Sequence, residues 1–239
     1  MTLMKLETPM PYRIVSLIAL MLMSSSAWAH FPWLSIDKKG NACFFFGENP
    51  ADTTYKLPPA IAAAELQSIA SDQSQPIDTV EVTSDDFVGL KSAEPVDKST
   101  SMLSTTTFGV YRGAKLQYYT QYLGGKMPTS LDDCEPMAGA DLQVHAVDVD
   151  GGVEIYVMWK GEPLEGADVQ LFCDRGHNEG DDTTDDDGKV LFDDQQVEDG
   201  LNGIMVGHTL SGVEGQWEGQ SFQSEMHYAT ATFFDPEDE

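Results

Sequence analysis

The chain has 239 residues, with 13 Lys plus Arg against 40 Asp plus Glu and a formal charge of −27. Apolar residues make up 41% and charged residues 22%, which is folded material sufficient for one large or two small domains, not an acidic disordered tail. The charge argues against nucleic acid and against anionic membrane surfaces, because both must be met by Lys and Arg. It leaves cations as partners, although solubility or salt adaptation accounts for an acidic surface equally well.

In chain order, Lys5 and Arg13 precede the apolar run Ile14–Met23, which is too short to span a bilayer and suits a secretory leader. Ala27-x-Ala29 is a small-x-small cleavage signal, so residues 1–29 are expected to be a signal peptide and the protein periplasmic, not membrane-inserted after cleavage. Cleavage there makes His30 the N-terminus, whose α-amine and imidazole can chelate one metal ion together. Three cysteines remain, Cys43, Cys134 and Cys173; an oxidising compartment allows one disulfide, whose connectivity the sequence does not give.

An N-terminal β-rich half is expected over 30–138. Phe31–Ile36 and Ala42–Phe46 read as strands around a Lys38–Asn41 turn, and Leu57–Ile69 reads as the one helix, opened by Pro58 and Pro59. Thr79–Thr83, Thr106–Tyr111 and Leu116–Tyr122 read as further strands. Residues 124–140 are rich in Gly, Pro and Asp and mark the boundary. Over 139–239 the strands are Leu142–Val149, Val153–Trp159, Ala167–Phe172, Lys189–Phe192, Gly203–Leu210 and Met226–Phe234. Their spacing predicts an all-β, Ig-like sandwich, not a parallel α/β sheet.

Gly161-Glu-Pro-Leu-Glu-Gly-Ala-Asp-Val, followed by Thr184-Asp-Asp-Asp-Gly188, is similar to the Gly-x-Pro-Leu-x-Gly-Ala-x-Val…Thr-Asp-x-x-Gly pattern of transthyretin-like sandwiches, and marks fold only. A wider set occurs in order: Ala29-His-Phe-x-Trp-Leu34, Phe44-Phe-x-Gly-Glu48, the Gly-x-Pro-Leu segment, Gly207-His208 and His227-Tyr-Ala-Thr-x-Thr-Phe233. That set resembles an exported family described as periplasmic nickel uptake proteins, or periplasmic components of cobalt/nickel transport. The resemblance implies capture of a transition-metal ion and its delivery to a membrane transporter.

Five histidines lie beyond the leader. His145 sits in a strand, and His177 in an acidic loop where it is expected to be solvated. His208 shares strand parity with Ile204 and Val206, and His227 with Ala229, Ala231 and Phe233, so both belong to apolar faces. In a hairpin joined by the loop 211–225 they would face each other at the loop end. If the N-terminal strand packs on that end, His30 completes a metal site with His208 and His227. Ligand softness and geometry suit Ni²⁺ or Cu²⁺, the resemblance favours Ni²⁺ or Co²⁺, and Zn²⁺ stays open. Glu48 and Glu225 are candidate hydrogen-bond acceptors for ligating imidazoles.

The acidic run Asp181–Gly188 does not make an EF-hand, because placing Gly188 sixth puts Thr183 first and Asp194 twelfth. No GxSxG, Walker, GxGxxG or HExxH motif occurs, so hydrolase, nucleotide-binding and zincin readings lack their anchors. The leading expectation is a non-enzymatic nickel/cobalt binding protein. The alternatives are a histidine-brace copper protein, carrier or oxidative enzyme, and a structural envelope sandwich.

Overall fold

The computed structural model describes residues 30–70 and 73–235; the expected leader and its cleavage site lie outside them. Among the described residues the chain is nearly all β, as the strand spacing predicts. No helix among them is long and apolar enough to cross a membrane.

A four-stranded sheet, here sheet A, takes its strands in the order β1 (Phe31–Ile36), β2 (Ala42–Gly47), β6 (Val88–Ser92) and β5 (Thr79–Thr83). Sheet B has eight strands. Its first four, in spatial order, are β13 (Asn178–Thr183), β12 (Asp168–Phe172), β15 (Gly200–Trp217) and β16 (Gln220–Asp235). Beside β16 follow β8 (Ala114–Tyr122), β7 (Ser101–Tyr111), β3 (Leu66–Ala70) and β4 (Gln73–Ile77). Sheet C is built on β10 (Gly152–Trp159), flanked by β9 (Leu142–Val149), β14 (Lys189–Asp193) and the short β11 (Glu162–Pro163).

Strand alternation gives sheet B an apolar set on each face. Ala229, Ala231 and Phe233 of β16, with Ile204 and Val206 of β15, join Val144, Ile155 and Val157 of sheet C in one core. Tyr228 of β16, with Leu116 and Tyr118 of β8, joins Phe31, Leu34, Phe44 and Phe46 of sheet A in another. Sheet B is therefore covered on both sides. The boundary read near 138 divides the chain but not this sheet, because β16 pairs in parallel with β8 from Ser224↔Ala114 to Thr232↔Tyr122.

Two elements depart from the sequence reading. The helix expected over 57–69 is a single turn, α1 (Pro59–Ala62), and Leu66–Ala70 is strand β3 instead. Leu66 enters the core under sheet A and Ile69 the core under sheet C, so burial on two sides outweighs the helix preference of the alanines. The loop expected over 211–225 is mostly strand. The β15–β16 ladder resumes past an irregularity at Ser211/Gly215 and closes at Trp217↔Gln220. Glu218 and Gly219, at φ 47° and 80°, give the two left-handed residues of a tight hairpin turn.

Candidate metal centre

His208 and His227 are directly paired across the β15–β16 ladder, as their parity predicts. They lie midway along the hairpin and not at its loop end, since the strands continue to Trp217 and Gln220. Their neighbours Val206 and Ala229 face the sheet C core, so both imidazoles point to that side.

Trp159 closes over the pair. Its ring centre lies 4.7 Å from that of His208 and 4.6 Å from that of His227. Nothing in the sequence marks Trp159 as a site residue except its shared strand parity with Ile155 and Val157. Tyr119 of β8 stands beside His227, with its hydroxyl 3.1 Å from Nδ1. Nothing local announces Tyr119, because the parallel pairing of β8 with β16 brings it there.

Nε2 of His208 and Nε2 of His227 are both buried, and that of His208 has no hydrogen-bond partner. Glu225, two residues before His227 on the same face, places Oε2 3.5 Å from His227 Nε2. Its other oxygen accepts from Lys115 Nζ at 3.1 Å. Burial pushes the pKa of both histidines down; at His227 the Glu225 carboxylate opposes that shift without cancelling it. Both rings are held neutral at pH 7, the form that binds metal. At His227, an Nδ1 oriented by Tyr119 and an Nε2 turned towards Glu225 fit an imidazole ligand held by an outer hydrogen bond, with the carboxylate beside it.

His30 does not join this pair. The Thr230 hydroxyl donates to the Pro32 carbonyl at 2.6 Å, and the Thr232 hydroxyl donates to the Leu34 carbonyl. Both threonines alternate with His227, so β1 lies on the opposite face of sheet B. Phe31 accordingly packs on Tyr228 with ring centres 5.0 Å apart. His30 lies tilted against Tyr55 with ring centres 3.6 Å apart, and its Nε2 lies 3.8 Å from Glu48 Oε1. Glu48 and Glu225 thus each stand beside an expected imidazole, but on opposite sides of a sheet. The three expected ligands are not brought together: β1, which follows His30, packs over Tyr228 and not over His227. Among the described residues, none of the clustered His, Cys, Asp and Glu triads with ligand atoms within 4.8 Å of one another contains His30, His208 or His227.

His145 is buried on β9 and lines a cavity of about 180 Å³ with Cys134, Glu135 and Lys126. Burial lowers its pKa to about 4. The cysteines are all free, and burial raises the thiols of Cys43 and Cys134 to about 11. The acidic Asp185–Asp187 turn is exposed, with Asp185 Oδ1 accepting from the backbone N–H groups of Asp187 and Lys189.

A scan of the chain against protein-family models gives no match, and a search among curated proteins gives none.

Proposed function

We propose that the chain is an exported, non-enzymatic binding protein for a first-row divalent transition-metal ion, held by His208 and His227. Nickel or cobalt stands first on the resemblance described above, and delivery to a membrane transporter follows from the same resemblance. One observation carries the reading: two facing, neutral imidazoles have buried Nε2 atoms, that of His208 unpartnered and that of His227 meeting only the Glu225 carboxylate at 3.5 Å. A buried polar atom without a partner costs about 1–3 kcal/mol, and coordination of an ion removes that cost. Glu225 adds a carboxylate beside His227, and the remaining positions fall to water or to a partner's groups. Imidazole with carboxylate suits nickel, cobalt, copper and zinc better than calcium or magnesium.

The histidine-brace reading loses support, because His30 has Tyr55, Phe46 and Glu48 around it and the histidine pair lies across the sheet. Titration with Ni²⁺, followed by calorimetry and tryptophan fluorescence, tests the proposal. Quenching is expected in the wild type and is expected to shrink in Trp159→Phe with affinity retained. His208→Ala and His227→Ala are each expected to weaken binding by about tenfold or more. Unchanged affinity in both histidine variants would overturn the assignment.

A further inference from the structure

We propose a second metal site, for a zinc-class ion, built from Cys173, His177 and Glu179 at the far end of sheet B. Strand β12 ends at Phe172 and β13 begins at Asn178, with a tight return between them. The Cys173 N–H donates to the His177 carbonyl at 3.1 Å, and the Gly176 N–H to the Cys173 carbonyl at 2.9 Å. Gly176 is required there: its φ is +78°, and a Cβ would come within 2.3 Å of Asn49 Oδ1. This return sets the Cys173 and His177 side chains together, and alternation adds Glu179, two residues on.

The Cys173 thiol, the His177 ring and the Glu179 carboxylate have ligand atoms within 4.8 Å of one another. His177 Nδ1 lies 3.9 Å from Glu179 Oε1. The thiol is fully buried, and it is also the shared member of a second set with Asp174 and Glu198. Glu198 is fixed from the connection between β14 and β15, where its carbonyl accepts from the buried Asn202 side chain at 2.7 Å. The Arg175 guanidinium pairs with Glu198 and also faces the Cys173 sulfur, so Glu198 is already engaged in the second set, whereas among the described residues the carboxylate of the first set carries no such cation pairing.

Sulfur, imidazole nitrogen and one carboxylate form a donor set that zinc-class ions take and that calcium and magnesium do not. Binding releases the thiol proton to solvent and forms a sulfur–metal bond, with water in the open position. The site is independent of the histidine pair. Phe172 pairs with Gly203, five residues before His208, roughly 17 Å along the strand. Reading His177 as merely solvated followed from its loop; its ring is exposed, but it stands over a buried thiol.

The test is titration of the reduced full-length protein with Co²⁺ and with Zn²⁺. Cobalt bound by a thiolate gives a sulfur-to-metal charge-transfer band that the His208–His227 pair cannot produce, so failure here is distinct from failure there. The band is expected in the wild type and in His208→Ala/His227→Ala, and absent in Cys173→Ser. Because Cys173 is buried, the surface change His177→Ala provides a variant that keeps the fold, and about a tenfold or greater loss of Zn²⁺ affinity is expected. Absence of the band in the wild type, or Zn²⁺ affinity and band unchanged in His177→Ala, would overturn the proposal.

Discussion

The two faces of sheet B are made from the same strands and hold opposite kinds of chemistry. On the sheet C side, Ala229, Ala231, Ile204 and Val206 form a dry surface that ends in His208, His227 and the Trp159 ring. On the sheet A side, Tyr228, Thr230 and Thr232 meet the N-terminal strand through aromatic contact and buried hydroxyl-to-carbonyl hydrogen bonds. On the first face the imidazole Nε2 atoms are left open, and on the second the Thr230 and Thr232 hydroxyls are paired while the neighbouring Thr120 hydroxyl is not. The contrast teaches that a single step along a strand decides whether a buried polar group serves packing or is available to an ion.

The largest expected effects test whether both faces belong to one folding unit. Phe233→Ala, on the sheet C side, and Phe44→Ala, on the sheet A side, are each expected to cost about 3–5 kcal/mol. Since the strands of sheet B come from both halves of the chain, both variants should shift a single denaturation transition; two separable transitions would show that the halves unfold independently.

His145 sharpens the comparison as a buried histidine with no facing histidine. Its pKa is lowered to about 4, so the unfolded chain takes up a proton as pH falls through about 6.5 while the folded chain does not. Its contribution is present above pH 6.5 and is lost progressively towards pH 4, by up to about 3 kcal/mol. Comparing urea midpoints at pH 7 and pH 5 should show a smaller acid loss in His145→Gln than in the wild type; an equal loss in both would contradict the assignment.

Thr230→Val and Thr232→Val each remove a buried donor and are expected to cost about 1–3 kcal/mol by denaturation. Neither should alter Ni²⁺ affinity at the pair, because both side chains face sheet A. The smallest effect is expected from His30→Ala, which should leave that affinity within about twofold. A large loss would return His30 to the site and refute the separation of the faces.

Much of this arrangement is legible in the residues. Period-two alternation places His208 with Val206 and His227 with Ala229, and the hairpin does the rest. What local pattern does not carry is the pairing of β8 with β16, which joins residues more than a hundred positions apart, such as Ala114 and Ser224. That pairing decides which face β1 covers, and so where His30 goes. The same limit hid Tyr119. The acidic stretch Asn178–Thr183 reads as a loop because its side chains suit solvent, yet it forms an edge strand where charge is tolerated on the open side.

The central claim is that the His208–His227 pair coordinates the ion. The most direct measurement is anomalous diffraction at the nickel absorption edge from crystals of the protein loaded with Ni²⁺. A peak within about 2.0–2.2 Å of Nε2 of both His208 and His227, under the Trp159 ring, is the predicted result. Nickel found at His30 and Glu48, or on the acidic surface, with the pair left empty, would contradict it.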